Sequence, residues 1–448
     1  MSNPSFFGAR SGSRPALILL TAMACAFYAL PALAGSQARI VRLSDVQGSV
    51  QIDKNTGLGF ENAFLNLPVM QGAQLRTRST GRVEIEFEDG STMRLGPDTA
   101  VEFSTLSLSD AGQKVSEINL SEGLAYVNWL GSDGFTLNFS REKVALNHPA
   151  HFRVVTSSDL AKLAVFKGDV VVEGPGGKQT VSKKQMAEFN VSDQDQFTLA
   201  KAIDEAPLDS WDRESIQYHE QYARNNSPVS GYGASDLSYY GNYSTVPGYG
   251  TMWQPFFTGV GWDPFMDGAW SWYPGYGSMF VSAYPWGWMP YRYGNWMFIP
   301  GMGWMWQPGG LTTWNVLPRT AGTLPANFHT LVAPAGTVKT VVVGKGGPVL
   351  SSASPFRMVV RNGSAGMGIA RGSLGNLKSL NHEVAKSGSV EVHATPRFTA
   401  GTPSSGFAAF GGPPSSTSSS SIGHASSSSS SSASGSGGGG GHASGGHR

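Results

Sequence analysis

From Arg39 to about residue 200 the chain alternates apolar and polar residues in short runs punctuated by Gly, Asn and Asp, the pattern of β-strands joined by tight turns. The clearest unit runs Arg82-Val83-Glu84-Ile85-Glu86-Phe87-Glu88, then Asp89-Gly90, then Ser91-Thr92-Met93-Arg94-Leu95. Val83, Ile85 and Phe87 fall on one face and Glu84, Glu86 and Glu88 on the other, while Asp89-Gly90 suits the positive φ values of a type I′ hairpin turn. The pattern predicts a sheet with one apolar face and one wet face, with Glu86 and Glu88 on the solvated side. After Gly96-Pro97-Asp98 a further strand is predicted at Ala100-Val101-Glu102-Phe103.

Three segments repeat a second pattern: Val46-Gln47-Gly48-Ser49-Val50-Gln51-Ile52, Leu120-Ser121-Glu122-Gly123-Leu124-Ala125-Tyr126-Val127 and Phe166-Lys167-Gly168-Asp169-Val170-Val171-Val172. In each, a Gly interrupts an alternating run, which predicts a bend where a strand turns a corner and stacked β layers as the outcome. Between residues 203 and 226 the period changes to that of a helix. Trp211, Ser215, Tyr218 and Tyr222 share one face, Asp209 or Ser210 is placed to cap it, and Asp212 and Glu214 lie in its first turn. Gly and Ser from Ser227 to Ser238 then read as a flexible joint.

Residues 239–316 hold ten of the twelve tryptophans and only three charged residues, Asp263, Asp267 and Arg292. Aligned on itself, this stretch shows Gly241-Asn242-Tyr243 leading to Pro247-Gly248-Tyr249-Gly250-Thr251-Met252-Trp253. Gly268-Ala269-Trp270 leads likewise to Pro274-Gly275-Tyr276-Gly277-Ser278-Met279-Phe280, and Gly294-Asn295-Trp296 to Pro300-Gly301-Met302-Gly303-Trp304-Met305-Trp306. Each copy predicts two short strands joined by a Pro-Gly-x-Gly turn, three units of a propeller-like or prism-like domain. The aromatics have two readings. They form the core of that domain, or Tyr243, Trp253, Trp270, Phe280, Trp296 and Trp306 include an exposed set on which sugar rings stack. Residues 317–400 carry β-prone pieces at 339–343 and 356–360, too few for a core of their own, and 401–448 are a Ser/Gly-rich tail expected to be disordered.

Composition narrows the class of protein. A net charge of +1 gives no electrostatic footprint for nucleic acid. Arg10 and Arg14, an apolar run from Ala16 to Leu33 and the exit Ala32-Leu33-Ala34 form a Sec signal peptide over residues 1–34, cleaved after Ala34. The alternative is an uncleaved membrane anchor, since the run is about 18 residues long. Cys25 is the only cysteine and lies inside that segment, so the mature chain has no disulfide, thiolate metal site or cysteine nucleophile.

One family resemblance rests on these strands. Gly72-Ala73-Gln74-Leu75-Arg76-Thr77, then Gly81-Arg82-Val83-Glu84-Ile85, then Asp89-Gly90-Ser91-Thr92-Met93-Arg94-Leu95-Gly96-Pro97-Asp98-Thr99, with Gly168 to Val172 later, are similar to the signature of the FecR domain. The resemblance covers about 160 residues, 38–200. It implies a periplasmic β domain, which in the founding members passes an outer-membrane receptor's signal to a cytoplasmic sigma factor. Those members carry a cytosolic helical segment before a transmembrane helix, whereas here only about fifteen residues precede the apolar run. A binding or scaffold role in the envelope is therefore expected in place of that output.

No residues announce a reaction. His148 and His151 flank Pro149 in a β context and lack a completing Cys or acidic cluster, so they read as structural or surface histidines. His424, His442 and His447 sit in the tail. Gly366-Met367-Gly368-Ile369-Ala370-Arg371-Gly372 has the wrong spacing and context for a dinucleotide loop. The expectation is a mainly β, non-enzymatic, Sec-exported protein, periplasmic or secreted, with no catalytic residue, cofactor or metal. Its partner is an envelope protein or a glycan, and it meets the membrane only if the leader stays uncleaved. The alternatives are a membrane-anchored sensor of FecR type, located at the inner membrane, and a glycan or peptidoglycan binder acting through the aromatic repeat.

Overall fold

In a computed structural model, residues 1–2 and 38–393 are described, apart from 133, 191–196, 224–226, 312, 327, 329 and 344–356. The apolar leader with Cys25, its cleavage point and the tail histidines lie outside the described residues. Two β-sheets between residues 41 and 200 share the long strand Lys114–Trp129. The first sheet sets Pro68–Val69 beside Val41–Gln47, then Arg82–Glu86, Thr92–Leu95, the second half of the shared strand, Ala150–Thr156, Leu160–Lys167, Met186–Asn190 and Phe197–Ala200. The second runs Glu61–Asn62, Val50–Asp53, Gln74–Thr77, Ala100–Leu108, the first half of the shared strand, Gly134–Phe139, Glu142–Leu146, Asp169–Gly174 and Gly177–Ser182. Their inner faces meet in one core, with Ile85, Phe87, Val127 and Phe152 from the first and Ile52, Leu75, Phe103 and Leu137 from the second.

The glycine bends lie where the alternating pattern placed them. At Gly48 the chain leaves the first sheet for the second, at Gly123 the shared strand crosses back, and at Gly168 it passes to the second again. All three have positive φ, 62°, 100° and 76°. At Gly123 a Cβ would lie 2.3 Å from Thr99 Oγ1, so space as well as φ requires glycine.

Two expectations for the Arg82–Leu95 hairpin are corrected. Its loop has three residues, because Phe87 N–H donates to Ser91 O, Gly90 N–H donates to Phe87 O and the left-handed residue is Gly90 at φ 88°. This is a type I turn closed by a left-handed glycine. Its outer face is also covered: Glu84 and Glu86 are each 1% exposed. The cover is helix α1 (Asp209–Ala223) and helix α2 (Ala234–Tyr240), the second starting within the 227–238 segment expected to be a joint.

The aromatic segment is three hairpins in matching register: Gly241–Val246 with Gly250–Pro255, Gly268–Tyr273 with Gly277–Ser282, and Asn295–Ile299 with Gly303–Gln307. Tyr243 opposes Trp253, Trp270 opposes Phe280 and Trp296 opposes Trp306. They do not form a closed ring. The first and third hairpins meet at Trp253 and Trp306, whereas the second pairs with Val341–Val343 from the chain's later part. A short helix α3 (Met289–Arg292) precedes the third hairpin.

Residues 357–393, expected to be irregular, contain the hairpin Arg357–Arg361 with Ser389–His393 and helix α4 (Leu377–Ser387). Asn376 Oδ1 accepts the Ser379 N–H at the helix start, and Gly388 ends it at φ 79°. Leu377, Leu380 and Val384 pack into the aromatic cluster.

Candidate functional site

Period 2 along each strand places two polar rows across the outer face of the first sheet. One row is Arg42, Glu86, Thr92, Asn128 and His151; the other is Asp45, Glu84, Arg94, Tyr126 and Arg153. In the second row Glu84 stands opposite Arg94, so those two strands attract through their side chains as well as their backbones, whereas Asp45 and Glu84 set two acids side by side. Outside these rows come groups from three later segments. In the first turn of α1, Asp209 and Asp212 are three apart and share a face. Helix α2 supplies Asp236, and the Gly-rich stretch 366–372 supplies Arg371.

The bonds make one connected cluster. Arg42 binds Glu86 (2.6 Å) and Asp236; Arg94 binds Glu84 (2.8 Å) and Asp212 (2.9 Å). Arg371 bridges Glu84 (2.8 Å) and Asp236 (2.6 Å). His151 Nε2 lies 2.7 Å from Asp212, and His219 Nε2 on α1 lies 2.9 Å from Glu84. Beside it Arg153 binds Asp209, which also accepts the Tyr126 hydroxyl at 2.7 Å and the Ala206 N–H. Tyr218 donates to Asp236 at 2.9 Å.

Burial opposes ionisation of Glu84, Asp236 and Arg371, and at those three groups the charged partners decide the result. Glu84 is held well below the usual carboxylate range: burial pushes it up, but His219, Arg94 and Arg371 outweigh that. Asp236 is lowered in the same way, against burial, by Arg371 and Arg42. Arg371 is raised well above the ordinary guanidinium value, because Asp236 and Glu84 overcome its desolvation. Asp45, opposite Glu84, is pushed up by burial. Chemically the cluster holds fixed charges against one another. Its acids are occupied by guanidinium and imidazole groups, which leaves them poorly placed to act on a substrate.

A second junction joins the sandwich to the aromatic hairpins. Lys54 Nζ lies 2.6 Å from Ser271 Oγ and 2.5 Å from Glu61, Tyr273 donates to Pro68 O at 2.6 Å, and Asn66 donates to the carbonyls of Ser282 and Tyr284. Burial lowers Lys54 from its ordinary value. Trp314 Nε1 donates to Ala38 O, and Ile40 packs with the aromatic cluster, so the first described strand begins inside the second half of the molecule. Arg292 is buried against carbonyls of Phe280, Asn315 and Val316, and burial lowers it to about 10.

The residues considered for an aromatic binding surface are placed otherwise. Trp253, Phe280, Trp296 and Trp306 are 0% exposed, Trp270 is 4% exposed, and Tyr243 alone is half-buried. The rings of Trp253, Trp262 and Trp296 meet Trp286 within 6.2 Å, edge-on or tilted. Trp253 and Trp306 donate to the carbonyls of Leu237 and Tyr293. Five of the six therefore offer no free face to a sugar. For Trp253 and Trp306, burial costs no hydrogen bond, because each indole N–H finds a backbone carbonyl. Tyr249 and Met302 are exposed at the tips of the first and third hairpins.

His148 is exposed, while His151 is part of the charge cluster. Sequence reasoning missed the cluster, and its only local signal was negative: a Gly-rich segment carrying one arginine, and two aspartates where helix dipoles alone would favour acids. Among the described residues, no group of three or more His, Cys, Asp or Glu is placed to hold a metal ion, and no helix is long and apolar enough to cross a membrane.

Two family models match the chain, one in each half. Residues 73–171 match the family model FecR protein, and residues 234–326 match a family of unknown function, DUF6600. Two crystal structures of a protein assigned as an anti-sigma factor, from Parabacteroides distasonis ATCC 8503, are similar to part of the chain. Identity is 18% and 16%, coverage is 31% and 33% of this chain and 63% and 71% of theirs, and the TM-score is 0.27 for both. At that score the likeness carries no argument. Curated proteins give no match.

Proposed function

We propose that this chain is a non-enzymatic, exported protein of the cell envelope, in which a FecR-like sandwich serves as a scaffold fastened to an aromatic module. One observation carries the reading. The charged outer face of the sandwich, where a ligand or a reacting group would be met, is occupied by Asp209, Asp212, Asp236 and Arg371 of the same chain. The FecR match over residues 73–171 and the signal-peptide pattern favour the envelope as its place. The partner is then met through surfaces other than that face, and an envelope protein fits better than a glycan, because the aromatic rings are buried.

Cell fractionation with intact-mass analysis tests location. The expected form begins near Gly35 and is released with the periplasm or the medium. A membrane-bound form that retains the residues next to Met1 would replace this reading with an anchored regulator of FecR type. In vivo cross-linking from the hairpin tips, at Tyr249 and Met302, is expected to capture an envelope protein. Cross-links confined to the sandwich face would contradict the closed-face reading.

A further inference from the structure

We propose that the first and third hairpins form a thioether site for a soft monovalent metal ion, copper(I) or silver(I), built from Met252, Met297 and Met305 with Met302 at its mouth. Period 2 gives the sheet that these hairpins share two faces. Trp253, Trp296, Trp304 and Trp306 lie on the inner face, in the aromatic core. The opposite face carries a separate small cluster, in which Val246, Met252, Ile299 and Met305 are buried and Met297 is half-buried. Three of these five residues are methionine, and no aromatic ring belongs to the cluster. A buried methionine ordinarily fills a gap or meets the edge of an aromatic ring; here three thioethers share one aliphatic patch.

The internal repeat distinguishes this patch from packing alone. In the first two hairpins Ser244 opposes Met252 and Ser271 opposes Met279; in the third, Met297 stands in the place of the serine and opposes Met305. The turn differs as well: the first two Pro-Gly-x-Gly units carry Tyr249 and Tyr276, the third Met302. Met279, with only a serine opposite, lies among the aromatic rings. The third copy therefore departs from the other two by a methionine at both positions, and one of them joins the methionines of the first and third copies. Directly opposed Cβ atoms of an antiparallel pair lie about 4.5–5.5 Å apart. Trp253 opposes Trp306, so Met252 falls diagonal to Met305 on the same face. Each thioether hangs on three rotatable bonds, which lets the three sulfurs turn towards one ion.

The donor set selects the ion. Thioethers are neutral, soft ligands that suit copper(I) and the similar silver(I), whereas zinc, calcium and magnesium take thiolate, imidazole or oxygen ligands. The four strands of these two hairpins carry no charged residue, so nothing on them compensates the ion, and a buried site of this kind favours one positive charge over two. The expectation of no metal rested on histidine, cysteine and acid ligands, none of which takes part here. Access runs past Met302, 46% exposed at the hairpin tip, and past the half-buried Met297, whose Cε has only a glycine, Gly322, beside it; a Cβ there would lie 3.4 Å away. A bound ion fastens two hairpins that otherwise meet at the Trp253–Trp306 pair and through Gln254 and Gln307, whose amides donate to the carbonyls of Met302, Trp304 and Tyr249.

Titration of the full exported chain with silver(I), a redox-inert probe, in chloride-free buffer, followed by native mass spectrometry and calorimetry, tests the site. The chain cleaved after Ala34 has no cysteine, so thiolate cannot account for binding. A single silver(I) ion is expected to bind and to raise the melting temperature. Copper(I) kept under reductant is expected to compete for the same place, and zinc(II) is not. The triple variant Met252→Leu/Met297→Leu/Met305→Leu, which nearly conserves volume, is expected to lose this binding. Met297→Ser restores the residue of the other two hairpins; because loss of an outer-shell partner alone weakens a metal site about tenfold or more, loss of this ligand is expected to weaken silver(I) by at least as much. Absence of silver(I) binding to the wild-type chain overturns the proposal, as does binding that survives unchanged in the triple variant, or zinc(II) binding that is lost in parallel with silver(I). If the triple variant does not fold, Met297→Ser decides, and an unchanged affinity in it overturns the proposal.

Discussion

Glu86 and Phe87 are neighbours that point to opposite faces of one strand, and both are buried. Phe87 meets Trp129 and Phe135 in the sandwich core, whereas Glu86 meets Arg42 under the helices. Phe87→Ala is expected to cost about 3 to 5 kcal/mol through lost burial and the cavity left behind. Glu86→Gln keeps the shape but removes a charge from a buried pair, and is expected to cost about 3 kcal/mol or more. Glu173→Gln, at an exposed pair with Lys178, should stay within about 0.5 kcal/mol. Urea denaturation of the three variants at pH 7 measures this. A Glu86→Gln midpoint matching that of Glu173→Gln would show that the first sheet's outer face is wet after all.

The shared strand Lys114–Trp129 bends at Gly123 and so belongs to both sheets, which leaves that glycine no room for a side chain. Gly123→Ala adds a left-handed backbone penalty of about 1 to 2 kcal/mol and a Cβ pressed against Thr99. Gly90→Ala meets the backbone penalty alone, because nothing lies within 4 Å of its Cβ position. Thermal unfolding should therefore rank Gly123→Ala well below Gly90→Ala, with a gap of at least about 1 kcal/mol. Equal losses would mean that the corner gives way without strain. Among the helices, α1 was legible because Trp211, Ser215 and Tyr218 repeat at helical spacing. Helix α4 carries Asn376, Gly388 and the Leu377, Leu380, Val384 stripe, helix signals in a segment for which only β-prone pieces were expected.

At the scale of the molecule, the sandwich and the aromatic half are joined by the charge cluster, by Lys54 with Ser271 and Glu61, and by Trp314 on Ala38. Ala269 and Val281 of the second hairpin belong to the same apolar core as the sandwich. Residues 38–200 expressed alone would leave Arg42, Glu84 and Arg94 without Asp236, Asp212 and Arg371. That piece is expected to unfold at a clearly lower urea concentration than the full exported chain, which should show one transition, coincident by tryptophan fluorescence and far-UV circular dichroism. Two separated transitions in the full chain, or an isolated piece of undiminished stability, would show that the halves are independent domains joined by a tether.

The sequence by itself determined what depends on neighbours along the chain. Alternation set the strands and their inward faces at Val83, Ile85 and Phe87, glycine marked the corners at 48, 123 and 168, and the recurring Pro-Gly-x-Gly unit fixed three hairpins in register. Tertiary structure decided which outer face meets water and which aromatic rings do. Period 2 places Glu84 and Glu86 opposite Phe87 whether solvent or a helix lies beyond them, and only the return of Asp212, Asp236 and Arg371 from distant segments makes that face an interior. The same holds for Trp253 and Trp306, since a hairpin presents its rings identically to a sugar and to another hairpin. What covers a face is set by contacts between residues far apart in the chain, and no local pattern encodes them.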